Sequence, residues 1–294
     1  MLEVTDYFPK VGPSAGGTEV RITGNNLDIG DNVTVILAHQ KCDIFTSRKI
    51  DEIICVTANY DMSSNASQSL DGLVLRIDNA TNSYLIAQNF TYTPNPTIQS
   101  IYPGKGLKHG GVALEVIGTW LNSVQNPKIL FQNDEWSASG DCKNSKINQS
   151  VMTCQQPSVL QSVAQGGHVL LNVTFVMDGV PQSSLQLPDP FFIKPDPVFR
   201  FLDDDLTIGT NNYILLKGKN LNVLEQQFYT IYLGRSKVCN IIIFTEDLIE
   251  CSPVGDVEAG QIFEITVTVG NFSEVLGNVT YVKSGKYNEN KFPR

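Results

Sequence analysis

Three segments of this 294-residue chain align without gaps over their first 24 positions, and that repetition limits the fold more than any other feature. The segments open at Val4, Ile98 and Val198. Twenty residues later each carries a glycine (Gly24, Gly118, Gly218), and three residues beyond that a leucine (Leu27, Leu121, Leu221). Starts spaced 94 and 100 residues apart leave about 95 residues per copy, the size of a small β-sandwich.

The same order of elements recurs inside each copy. Gly16-Gly17 and Gly110-Gly111 stand where a turn between two strands is expected, and the third copy has Thr210-Asn211 there, with Asn still tolerant of left-handed backbone. Thr18-Glu-Val-Arg-Ile-Thr alternates, with Val20 and Ile22 on one face and Glu19 and Arg21 on the other, which predicts a strand with one wet side. Later runs alternate in the same way at Leu73–Ile77, Val169–Phe175 and Phe263–Val269. Asn89-Phe-Thr-Tyr92 matches Asn278-Val-Thr-Tyr281 as a closing strand. Pro94-Asn-Pro96 and Pro195-Asp-Pro197 precede the second and third copies and restrict the backbone there, so stiff joints and a rod-like arrangement are expected. The expected fold is all-β, three tandem immunoglobulin-like sandwiches over residues 1–95, 96–196 and 197–283, with 284–294 as a linker. The third copy, which lacks the Gly pair, is the one expected to depart from common geometry.

Six cysteines fall as Cys42/Cys55, Cys142/Cys154 and Cys239/Cys251, one pair per copy. The even number and regular spacing predict three local disulfides. Zinc is the competing chemistry, but it favours Cys-x2–4-Cys knuckles with His partners, and this spacing supplies none. An apolar residue lies two positions before each second cysteine (Ile53, Met152, Ile249), so both should point inward at the core edge of a short strand. A loop closed this way contributes about 3 kcal/mol in the chain-entropy model.

Asn-x-Ser/Thr occurs at Asn32, Asn65, Asn79, Asn89, Asn148, Asn172, Asn271 and Asn278, which points to N-glycosylation at an extracellular surface. The absence of a basic and apolar leader after Met1 fits either a cytosolic protein or a piece of a longer one, and the cysteines and sequons favour an ectodomain piece. No apolar run approaches 18 residues, so no transmembrane segment is expected. A net charge of −9 without any Lys/Arg-rich run argues against nucleic acid as a partner.

The repeats resemble the IPT/TIG immunoglobulin-like repeats of plexins and of the Met and Ron receptors. The first copy carries the pattern best, as Val4-Thr-Asp-Tyr-Phe-Pro9, Gly12-Pro-Ser-Ala-Gly-Gly-Thr18, Gly24-Asn-Asn-Leu27 and Phe90-Thr-Tyr92. The second keeps Gly106 and Gly110-Gly111 but has Thr119-Trp120 where the family often has a polar pair. The third opens as Asp196-Pro-Val-Phe199 and continues with Leu216-Lys-Gly-Lys-Asn-Leu221, similar to membrane-proximal plexin repeats. The resemblance implies the stalk of a semaphorin receptor on the extracellular side of the plasma membrane, with semaphorin engaged by a distal domain absent from this chain. A Met/Ron-like stalk and a general adhesion ectodomain are the alternatives, and homotypic or intramolecular stalk contacts are open.

Catalytic and cofactor-binding residues are not expected, and neither is a metal. His39, His109 and His168 are far apart in sequence and read as surface residues. Gly104-Lys-Gly-Leu-Lys-His-Gly110 fits no phosphate-loop spacing and reads as an inter-strand turn. Asp203-Asp204-Asp205 lacks the ligand alternation of a calcium loop. Trp120 and Trp136 read as packing residues. DNA-binding factors with this type of repeat would need a basic face and reduced thiols.

Overall fold

The computed structural model of the protein describes residues 2–44, 48–62, 67–70, 72–78, 84–86, 88–145, 148–159, 167–200, 207–208, 213–255, 258 and 260–281. Three short 3-10 turns, Leu121–Ser123, Gln182–Ser184 and Gln226–Phe228, are the only helical segments among these residues, and the rest is strands and loops forming three immunoglobulin-like sandwiches. The chain divides into two compact units. One comprises residues 1–102, 114–155 and 172–190, and the other 103–113, 156–171 and 191–294, so the division runs through the second repeat.

In the first unit, the first repeat builds one sheet in the order Glu3–Phe8, Glu19–Asn25, Glu52–Thr57, Gln40–Ile44, Val33–Leu37, Leu73–Ile77, Tyr84–Ile86. A smaller sheet places Phe90–Thr93 between Val11–Pro13 and Gln68–Leu70. The alternation read from the sequence sets which side is dry: Val20, Ile22, Ile53, Leu73 and Leu75 are buried with Phe90 and Tyr92, while Glu19, Arg21 and Asn89 are exposed. The second repeat contributes strands in the same order, Thr97–Tyr102, Ala113–Thr119, Val151–Gln155, Ser137–Asn144, Lys128–Gln132 and Val169–Val176.

In the second unit, Val169, Leu170 and Leu171 pair antiparallel with Phe191–Lys194, which pairs in parallel with Lys105–Leu107. The third repeat runs Val198–Phe199, Ile214–Lys219, Leu248–Pro253, Lys237–Phe244, Tyr229–Leu233, Ile262–Val269, Phe272–Tyr281, Thr207–Ile208. Ile214, Leu216, Ile249, Ile265 and Val267 form its dry side.

Disulfides join Cys42 to Cys55, Cys142 to Cys154 and Cys239 to Cys251, one in each repeat, with all six cysteines buried. In the first and third repeats the bridge is diagonal: Cys42 pairs across the ladder with Thr57, and Cys239 with Pro253. In the second the cysteines face each other directly, because the hairpin continues by pairing Asn144 with Met152. In this feature the second copy departs, contrary to the expectation for the third.

The glycine that anchors the sequence repeat has the same task three times. Gly24 lies against the carbonyl oxygen of Glu3, Gly118 against that of Thr97 and Gly218 against that of Val198, so closely that a Cβ would overlap the oxygen. The first strand of each repeat can therefore lie directly on the next, and the leucine three residues on fills the gap, fully buried as Leu27, Leu121 and Leu221. The residue before each leucine is left-handed: Asn26 (φ 56), Trp120 (φ 54) and Asn220 (φ 56). Asn is tolerated there and Trp is not favoured, which explains the polar residue in copies one and three and leaves half-buried Trp120 as the exception. Gly118→Ala is expected to lower stability by about 2–3 kcal/mol through overpacking, seen as a reduced urea midpoint at unchanged slope.

Candidate functional site

No group of three or more His, Cys, Asp or Glu residues among the described residues could hold a metal ion, and the recurring polar construction lies where one repeat meets the next. At the first joint, within the first unit, the Gly16-Gly17 turn has left-handed backbone (φ 73 and 75), which glycine adopts without steric cost. The Gly17 amide donates to the Thr57 carbonyl (2.8 Å) and the Ser14 amide to that of Thr93 (2.8 Å), fixing the turn to its own repeat. Asn95, the middle residue of Pro94-Asn-Pro96, accepts the Ala15 amide (2.8 Å) and contacts the Ser14 hydroxyl (3.1 Å) through Oδ1. Across the joint, the Gly179 amide of the second repeat donates to the Gly16 carbonyl (2.9 Å). A Cβ on Gly17 would overlap the Gly179 backbone.

The second joint, within the second unit, repeats this construction. Gly110-Gly111 is left-handed (φ 69 and 76), the Gly111 amide donates to Gln156 (2.8 Å) and the Lys108 amide to Lys194 (3.1 Å). Asp196, the middle residue of Pro195-Asp-Pro197, accepts the His109 amide (3.2 Å), and its other oxygen lies 2.6 Å from His109 Nδ1. The Asn271 amide of the third repeat donates to the Gly110 carbonyl (2.9 Å), and Asn271 occupies the space a Cβ on Gly111 would need. The His109 ring stands edge-on to Phe272, with centroids 5.9 Å apart, and Phe272 stacks on Phe199.

One side-chain pair that crosses the first joint has no counterpart at the second. At the first, the buried Thr18 hydroxyl donates to Asp178 Oδ2 (2.7 Å), while Asp178 Oδ1 accepts the Gln125 amide (3.2 Å). At the second, Val112 stands in the place of Thr18 and Gly270 in that of Asp178. A hydroxyl faces a carboxylate at one joint, and at the other both are absent. Burial raises the Asp178 pKa above its ordinary value, outweighing the hydrogen bonds from Thr18 and Gln125 that lower it.

The sequence reading placed His109 on the surface as an isolated residue. Its ring is largely exposed, but it is a joint residue whose partners, Asp196 and Phe272, are too distant in sequence to be linked by spacing. Of the Gly104–Gly110 segment, Lys105–Leu107 form a strand and the turn expected there is confined to its end, where Lys108 to Gly111 serve as the socket of the second joint. Trp136 is half-buried. Of the sequon residues, Asn32, Asn89, Asn148, Asn172, Asn271 and Asn278 are exposed, whereas Asn65 and Asn79 lie outside the described residues. Thr174, whose hydroxyl completes the Asn172 sequon, is buried at 6% exposure. Asp203–Asp205 and Thr210-Asn211 also lie outside the described residues.

Thr18→Val is expected to cost about 1.5–3 kcal/mol, the value of a hydrogen bond to a charged acceptor, read as a lower melting temperature. A carboxyl group whose pKa is higher in the folded protein contributes stability that is complete below the unfolded value of about 3.9 and is lost as pH rises through the folded value. The parent protein should therefore lose melting temperature between pH 4 and neutrality, and Asp178→Asn should flatten that fall.

Residues 2–92 and 96–191 match the IPT/TIG domain family. Plexin A3 of Danio rerio is 33% identical over 218 residues, covering 72% of this chain and 11% of that protein. Plexin-A4 of Homo sapiens is 30% identical over 270 residues, covering 86% of this chain and 13% of that protein, so the chain spans a small part of these relatives' length. Among solved structures, the plexin A4 full extracellular region, domains 1 to 10, superposes with a TM-score of 0.63 at 27% identity, over 93% of this chain and 22% of that one. The chain therefore belongs to the IPT/TIG domain family, and within it the chain is similar to the IPT/TIG region of plexin ectodomains.

Proposed function

We propose that this chain is a stalk segment of a plexin-type semaphorin receptor, on the extracellular side of the plasma membrane, and that it spaces and orients a distal ligand-binding head relative to the membrane. The observation that carries the reading is the recurrence of one joint. At both places a turn that cannot accept a side chain is bonded through its backbone to the next repeat and braced by the middle residue of a Pro-x-Pro linker. Such contacts define an angle between neighbours, which is what a spacer requires and a flexible tether does not.

The proposed repeat boundaries are 1–95, 96–196 and 197–283, with 284–294 as a linker. The reading is non-enzymatic: semaphorin meets a domain outside this chain, and the repeats transmit its arrival mechanically. N-glycans are proposed at the eight sequons, and the exposure of the six described Asn residues supports this. Enzymatic removal of N-glycans from protein made in a secretory host should lower its mass and convert occupied Asn to Asp. An unchanged mass would remove the glycan proposal.

Inserting four to six Gly/Ser residues, roughly 11–15 Å of flexible linker, between Asn95 and Pro96 of the intact receptor is expected to reduce signalling several-fold while semaphorin affinity stays unchanged. Full signalling from the insertion variant would identify the segment as a passive tether. Saturable binding of semaphorin to this chain alone would replace the spacer reading with direct recognition.

A further inference from the structure

Of the sequon Asn residues that the structure describes, Asn271 is the one whose own atoms build a joint. It lies in the Gly270-Asn271 turn between Ile262–Val269 and Phe272–Tyr281. Its amide donates to the Gly110 carbonyl (2.9 Å), and its carboxamide lies over Gly111, with Oδ1 and Cγ nearest the place a Cβ on that glycine would take. Nδ2, the atom that carries an N-glycan, is farther from that place than Oδ1 is, and the residue as a whole is exposed. Ser273, whose hydroxyl completes the sequon, is exposed as well. Both parts of the signal are therefore reachable at the tip of a turn, unlike Asn172 with its buried Thr174.

The first joint has no such site. Gly179, which has no side chain, stands in the place of Asn271 and donates the matching bond to the Gly16 carbonyl (2.9 Å). A glycan can thus be rooted in the contact itself at one joint and not at the other.

Opening the second joint swings the Asn271 carboxamide off the Gly110-Gly111 turn. With a branched sugar on Nδ2, rotations that carry the carboxamide across the surface of the second repeat bring the sugar into it first. The closed arrangement, with Nδ2 on the outer side, is kept, while the number of open arrangements falls. Fewer open states raise the closed fraction by an entropic route.

We propose that the N-glycan at Asn271 is a working part of the second joint, holding the third repeat on the Gly110-Gly111 turn by excluding open arrangements. The proposal rests on the reading of Asn271 as an occupied sequon and adds a mechanical task for the sugar.

Because the Asn271 amide is the donor of the joint bond, its hydrogen exchange reports opening directly. The full chain is made in a secretory host in three forms: with complete glycans, trimmed by endoglycosidase to a single N-acetylglucosamine at each site, and as Ser273→Ala, which abolishes the sequon and leaves Asn271 in place. Mass analysis of the peptide containing Asn271 gives its occupancy in each. Exchange at Asn271 is expected to be several-fold slower in the complete form than in Ser273→Ala, with the trimmed form between them. The complete and trimmed forms share one substituent on Nδ2, so the step between them reflects bulk alone. Exchange at Gly179, the donor of the first joint, should be equal in all three. An occupied Asn271 that exchanges as fast as in Ser273→Ala, or faster, would overturn the bracing role and leave the glycan in place. An empty Asn271 in protein whose other sequons are occupied would remove the glycan at this site and the proposal with it.

Discussion

The joint between one repeat and the next is built around a hydrogen bond between two backbones, Gly179 to Gly16 and Asn271 to Gly110. Backbone contact at that range is available only where side chains are missing and where the chain can turn left-handed, and a Gly pair meets both conditions. The joint therefore depends less on the identity of nearby side chains than an apolar interface would. Surface residues can change widely around it while the contact stays, provided the glycines remain.

The rest of the architecture supports that contact from behind. The Gly pair is fixed to its own sandwich by the amide of its second glycine, which is bonded to the residue two positions after the second cysteine, Thr57 or Gln156. The disulfide thus braces the strand that supports the socket. On the receiving side, the turn is the continuation of a strand whose inward residues are core, Phe175 and Met177 or Val267 and Val269. Rigid elements lie on both sides of one short bond, so little of the connection is left to loop entropy.

Much of this was legible in the sequence because it follows period two and fixed landmarks. Alternation alone puts Val20 and Ile22 on one face, and the alternating runs Leu73–Ile77 and Phe263–Val269 bury Leu73, Leu75, Ile265 and Val267 in the same way. The cysteine pairs followed from spacing, and the Gly pairs were recognised as turns. What the sequence did not expose was what the turns touch. Gly16 and Gly179 are separated by more than one whole repeat, and neither has a side chain whose chemistry announces a partner. His109 was overlooked for a related reason, since its roles come from Asp196 and Phe272, brought near by folding. The shifted disulfide register of the second repeat was equally hidden, because cysteine separations of 12 and 13 are compatible with facing or diagonal bridges.

Burial of Thr174 has a consequence in time. The hydroxyl that makes Asn172 a sequon is buried in a paired strand, while Asn172, two residues earlier on the same face, stays exposed. Once that strand is zipped between its neighbours, the three-residue signal can no longer be read as an extended whole. Attachment of sugar at Asn172 would thereby be a race against folding of the second repeat, and its occupancy would act as a clock of how quickly that sandwich closes as the chain emerges.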